Sequence, residues 1–153
     1  MNAINFYRIA HFLYLKRVPA LPWLVRNLIF LIFNSYIPPS AKIGRGTVFA
    51  YGGMGVVIHA DAVIGDYCVI GQGITIGATE GFFSRVPNRC PKIGDHVYLA
   101  AGARILGDIQ IGNRVIVGAS AVVTHDVDDH SIVAGVPARK IGETEKDYRA
   151  IRD

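Results

Sequence analysis

The stretch VVIHADAVIGDYCVIGQGITIGAT, residues 56–79, places an isoleucine at every sixth position: Ile58, Ile64, Ile70 and Ile76. Glycine follows three of them, as Gly65, Gly71 and Gly77, while His59 follows the other. The same period extends outward from this stretch. Ile43 and Phe49 precede it, separated by a slip of three residues, and Ile93, Leu99, Ile105, Ile111, Val117 and Val123 follow it. Two positions before each aliphatic residue the chain is again apolar and mostly compact: Val56, Ala62, Cys68, Ile74, Val97, Ala103, Ile109, Val115 and Ala121. A helix stripe recurs at about 3.6 residues and a strand alternates at two, so neither produces a period of six. A six-residue repeat with an inward aliphatic and a turn glycine predicts a β-helix, three repeats to a triangular rung. Glycine at the corner is expected there for its tolerance of positive φ.

The remainder divides in three. Residues 1–37 read as a helical segment: Phe6, Ile9, Ala10, Leu13 and Leu15 form a loose apolar face, and Pro19 and Pro22 interrupt it. A second, very apolar helix is expected over Trp23–Phe33, ended by Ile37–Pro39. Residues 38–143 form the β-helix, broken by an excursion loop at 78–91, and 144–153 are a C-terminal tail.

Composition narrows the function. The chain has 153 residues, 51% of them hydrophobic, and a net charge of +4. Its Lys and Arg are scattered, so nucleic-acid binding is not expected. Cys68 and Cys90 make no disulfide framework, and Cys68 falls at an interior position. No signal peptide is recognisable, and LIFLIF (28–33) falls short of the roughly 20 apolar residues of a span. The expectation is a cytoplasmic protein, with at most a weak membrane association through Trp23–Phe33. The histidines are dispersed and neither cysteine has ligand spacing, so no metal site is expected.

The stretches AKIGRG (41–46), AVIGDYCVIGQGITIG (62–77), PKIGDHVYLAAGARILGDIQIG (91–112) and VAGVPARKIG (133–142) resemble the hexapeptide-repeat acyltransferases, in their serine-acetyltransferase-like branch. The resemblance implies a left-handed parallel β-helix, acetyl-CoA as co-substrate, and a homotrimer with active sites between subunits. It implies that small residues Gly77, Ala101 and Ala119 line the groove for the pantetheine arm, and that Arg139 and Lys140 meet the nucleotide phosphates. Three departures stand out. Serine acetyltransferases carry a longer helical N-terminal domain. They have an Asp-His pair where this chain has Ala50-Tyr51, and a second histidine where it has Cys90. The expected acceptor is therefore a small-molecule or glycan hydroxyl, in particular a sugar in surface-polysaccharide assembly. Serine O-acetylation, sugar N-acetylation and a non-catalytic β-helix scaffold are the alternatives.

Acetyl transfer to a hydroxyl needs a general base, and a histidine titrates near working pH. His11 lies in the helical segment, His96 at an ordinary corner, and His125 and His130 in a polar exit expected to be solvated. His59 lies one full turn beneath Gly77, at the corner where the loop leaves, and is the expected base. Tyr51 is expected to orient the acceptor or the imidazole, with Asp61 or Asp66 holding the ring in one tautomer. Arg85 and Arg89 of the loop are expected to meet an anionic group. Cys90 is not expected to act as a nucleophile, since nothing adjacent lowers its pKa.

Overall fold

The computed structural model describes residues 1–78 and 89–151. Helices α1 (Ala3–Leu15) and α2 (Leu21–Phe33) pack against each other at one end of a three-sided stack of short strands. Helix α2 starts two residues earlier than the sequence suggests. Pro22 sits in its first turn, where the missing N–H has no intrahelical partner to lose.

Numbered in chain order, the strands fall on three faces. Face one holds β1 (Lys42–Ile43), β4 (Val63–Ile64), β7 (Lys92–Ile93) and β10 (Gln110–Ile111). Face two holds β2 (Val48–Phe49), β5 (Val69–Ile70), β8 (Tyr98–Leu99), β11 (Ile116–Val117), β13 (Ser131–Gly135) and β14 (Ala138–Glu143). Face three holds β3 (Val57–Ile58), β6 (Thr75–Gly77), β9 (Arg104–Leu106) and β12 (Val122–Val123). The first aliphatic row, Ile43, Ile64, Ile93 and Ile111, stacks in register through parallel pairs. Ile58, Ile76, Ile105 and Val123 do the same on face three. All eight are at most 6% exposed, so the period of six is an interior core. The three-residue slip falls in an irregular, 3-10-like turn, Ala50–Gly53, in which Tyr51 and Gly52 have positive φ.

The stretch VAGVPARKIG ends the coil: its first residues lie on β13, parallel to β11. Strand β14 folds back antiparallel on β13, covering the last open edge of face two.

The glycines that follow the aliphatic residues serve a different purpose from the one expected. Gly44, Gly65, Gly71, Gly77, Gly94, Gly112 and Gly118 do not have positive φ. The left-handed position falls two residues later, at Gly46, Tyr67, Gly73, His96, Arg114 and Ser120. The glycines are needed because the next coil lies against them. A Cβ on Gly71 would meet Ala101 N at 2.7 Å and Leu99 O at 2.8 Å; one on Gly94 would meet Asn113 Oδ1 at 2.6 Å. That carboxamide belongs to a ladder along the edge between faces one and two. Asp66 Oδ1 accepts from Arg45 N (2.9 Å), and Asp95 Oδ1 from Asp66 N (2.8 Å). Asn113 Oδ1 accepts from Asp95 N (2.8 Å), and Asp129 Oδ1 from Asn113 N (2.6 Å). Asp66 is thus a corner residue, remote in role from the imidazole of His59.

Gly71→Ala is expected to destabilise the fold by about 1–3 kcal/mol through overpacking, although its φ suits any residue. The urea midpoint measures it; an unchanged midpoint would return the glycine to the positive-φ explanation.

Candidate active site

His59 follows β3, and its backbone N–H donates to Ile76 O (2.9 Å), one coil along on face three. Beside it lies a cleft of about 360 Å³, lined by Tyr36, Val57, His59, Thr75, Gly77 and Ala78 among others. Loop 78–91 begins at this edge. Its residues 79–88, including the expected substrate contact Arg85, lie outside the described residues. Arg89 is described and exposed.

The chain re-enters the coil at Cys90. Parallel pairing of Ile64 with Ile93 stacks β7 on β4, and this brings Cys90 over the corner that holds Asp61. Cys90 Sγ lies 2.8 Å from His59 Nδ1, and the backbone N–H of Asp61 donates to the same nitrogen at 3.2 Å. An amide can only donate, so Nδ1 is an acceptor and the neutral ring carries its proton on Nε2. Cys90 then donates its S–H. The expectation that the Asp61 carboxylate fixes the tautomer needs correction: it is the Asp61 main chain that does so, with the thiol.

Sequence spacing gave no metal cluster, yet the fold gathers three ligand-bearing residues. Nδ1 of His59, Sγ of Cys90 and a carboxylate oxygen of Asp61 lie within 4.8 Å of one another. Zinc bonds of about 2.0 and 2.3 Å at a tetrahedral angle would hold nitrogen and sulfur roughly 3.5 Å apart. The observed 2.8 Å is instead a thiol-to-imidazole hydrogen bond.

Burial pushes the Cys90 thiol up to about 11, and the Asp61 and Asp108 carboxylates push the same way. Cys68, fully enclosed, is also raised to about 11, first by burial. Neither is a ready thiolate.

Other expected site residues scatter. Tyr51 is 76% exposed in the 3-10 turn and does not line the cleft; Tyr36 takes a wall there instead. Gly77 shares the His59 edge, but Ala101 and Ala119 sit on the neighbouring edge, between faces two and three. The three small residues therefore do not form one stripe on a single protomer, because face three separates them. Arg139 and Lys140 are exposed on β14, with Lys140 Nζ 2.7 Å from Glu143 Oε1. His130 is not solvated as expected: it is half-buried, its Nδ1 3.3 Å from Thr144 Oγ1. A larger hollow of about 640 Å³ on face one is lined by Lys92, Gln110 and Asp126–Asp129. Of its carboxylates, Asp126 and Asp129 each accept a backbone N–H, and no histidine lines it.

Residues 90–125 match the bacterial transferase hexapeptide (six repeats) family. The serine acetyltransferase of Synechococcus elongatus is 42% identical over 140 residues, 92% of this chain and 56% of the relative. That of Escherichia coli is 38% identical over 146 residues, 95% of this chain and 52% of the relative. Among solved structures, the serine acetyltransferase of Brucella abortus in complex with coenzyme A aligns with TM-score 0.85 at 37% identity. It covers 94% of this chain and 56% of that one. The chain belongs to the hexapeptide-repeat acyltransferases. Its stack is the left-handed parallel β-helix of that family, as the resemblance implied. The chain spans about half the length of the relatives it matches. Those relatives are named as serine acetyltransferases, and none of these names concerns polysaccharide biosynthesis.

Both thiols are expected to resist iodoacetamide at pH 8 in the native protein, where a group titrating near 11 is roughly one part in a thousand thiolate. Both are expected to label once unfolded. For each, the folded pKa is raised, so its stabilising contribution is complete below about pH 9 and is lost as the pH rises towards 11. The urea midpoint is expected to fall over that interval, and Cys68→Ala to flatten the fall. Rapid native labelling of Cys90 at pH 8 would overturn the assignment of a protonated, donating thiol.

Proposed function

We propose that this chain is an acetyl-CoA-dependent O-acetyltransferase acting as a homotrimer, with the hydroxyl of serine or a closely similar small molecule as acceptor. The observation that carries this reading is the identity of about 40% to serine acetyltransferases over more than nine-tenths of the chain, with a histidine-lined cleft on the same scaffold. His59 is the general base of the proposal. Its basic nitrogen is Nδ1, and an incoming hydroxyl replaces Cys90 as the donor to it. As the hydroxyl oxygen bonds to the thioester carbonyl carbon, its proton passes to Nδ1. The carbon–sulfur bond then breaks, and the proton returns to the departing CoA thiolate. A hydrogen-bond donor to the carbonyl oxygen completes the chemistry. Arg139 and Lys140 remain the proposed contacts to CoA phosphates, and Gly77 a wall that permits close approach.

One observation keeps a glycan acceptor as a second reading. Cys90 and the Ala50-Tyr51 pair stand where the serine-specific pattern has a histidine and an Asp-His pair, so those ionisable side chains are not at these positions.

His59→Ala is expected to lower turnover by about 100-fold or more with an unchanged circular dichroism spectrum. Near-normal turnover in that variant would reject its role. Release of CoA measured with L-serine, nucleotide sugars and oligosaccharides, in hydroxy and amino forms, separates the acceptors. A turnover with sugars alone would overturn the serine reading while leaving O-acetyl transfer intact.

A further inference from the structure

Helices α1 and α2 carry an apolar surface that the β-helix does not use. Phe12 and Leu15 of α1 and Leu24, Phe30, Leu31 and Ile32 of α2 are each 48–76% exposed. Large apolar side chains left in water in this number mark an interaction surface more often than a bare one. The charges around them have one sign. The first sixty residues contain six Lys and Arg and no Asp or Glu; every acidic residue of the chain lies from Asp61 onward. Two of the cations, Lys16 and Arg17, are exposed at the junction of the helices, and Lys16 Nζ lies 5.8 Å from the Phe12 ring centroid. A third, Arg26, lies over the half-exposed Trp23 at 5.7 Å. Apolar residues, an aromatic rim and cations without counter-charges are what an interfacial helix presents to lipid.

We propose that the α1–α2 pair seats this protein on an anionic membrane surface. The apolar side chains enter the headgroup and upper acyl region, and Lys16, Arg17 and Arg26 meet lipid phosphates. The helices lie in the plane: α2 has 13 residues, about 20 Å, against a hydrocarbon core of about 30 Å. Among the described residues no helix is long and apolar enough to cross a membrane. Charge favours lipid over a second copy. In a two-fold contact between copies, two such faces would set Lys16 and Arg17 near their own counterparts, with no carboxylate in either helix to pair with them. The seating also bears on the cleft, because Arg26 Nη1 donates to the hydroxyl of Tyr36 (3.1 Å), and Tyr36 lines the cleft that holds His59.

The test is sedimentation of the full chain with vesicles of phosphatidylcholine alone or with phosphatidylglycerol, following the emission of its only tryptophan, Trp23. Binding is expected on the anionic vesicles, with a blue shift of Trp23, and about 10-fold or more weaker on neutral vesicles or at high salt. Leu31→Glu and the pair Lys16→Glu, Arg17→Glu are expected to weaken it about 10-fold or more. All three positions are exposed, and circular dichroism checks that the fold is intact. Absence of binding, or equal binding to neutral and anionic vesicles, would overturn the proposal. So would a Leu31→Glu variant that lowers the molar mass by light scattering while leaving vesicle binding unchanged, since the face would then belong to a second copy. None of these readouts depends on the acetyl-transfer reading.

Discussion

Coil-to-coil contact at the corners governs this molecule. Each corner must let the neighbouring backbone approach to van der Waals distance, and its N–H groups must still find acceptors. Glycine satisfies the first condition and the side chains of Asp66, Asp95, Asn113 and Asp129 the second. Once both hold, the coils stack in register, and every sixth aliphatic falls on the one before. The core follows from the corners. A strand of two residues has no stability of its own, so the rows of Ile, Leu and Val become a continuous interior only because the corners keep registration.

The same registration explains what the sequence could and could not disclose. A period of six survives in a linear reading, and it placed the interior residues, the position of His59 below Gly77 and the site of the interruption. The glycine rule was read for the wrong reason, because φ is invisible in sequence and close approach of another coil is a property of the stack. In the linear sequence Cys90 shows no disulfide, ligand or nucleophile context. Its true neighbour lies 31 residues earlier, across the excursion, and only the stacking of Ile93 on Ile64 puts the two together. Tyr36 was passed over because it precedes the repeat. It joins face three through an isolated bridge to Val57, a contact that periodicity does not announce. Tyr51, by contrast, was picked for its place in an irregular segment, and irregular backbone turned it out to solvent.

The chemistry of the cleft rests on how one nitrogen is shared. Two donors converge on Nδ1 of His59, one from the main chain and one from a thiol that burial and two carboxylates keep protonated. A thiol is a weak donor and an amide a better one, so in the proposed mechanism the thiol is the partner that a substrate hydroxyl displaces at lower cost. A buried group left without its partner raises the energy of the empty site. Here the departing thiol is only a weak hydrogen-bonding group, and the loss is correspondingly small.

The helices are not an appendage to this arrangement. Tyr7 donates its hydroxyl to Ala41 O at 2.6 Å, Asn2 Nδ2 to Phe49 O at 2.8 Å, and the Arg8 guanidinium to Ile43 O and Gly44 O. These are carbonyls of the first coil, which has no coil beneath it. Such an edge would expose unpaired main-chain groups and the rim of an apolar core. One side of α1 closes it, and burial holds the Tyr7 hydroxyl up at about 12. From α2, Arg26 stacks 5.0 Å over the Tyr36 ring and so reaches the wall of the cleft. One pair of helices therefore caps the core, braces the site and still leaves a cationic, apolar flank facing outward. The first two tasks account for its buried residues, Tyr7, Ile29 and Phe33 among them. Neither accounts for Leu31 or Phe30, whose exposure has to be explained by something outside the chain.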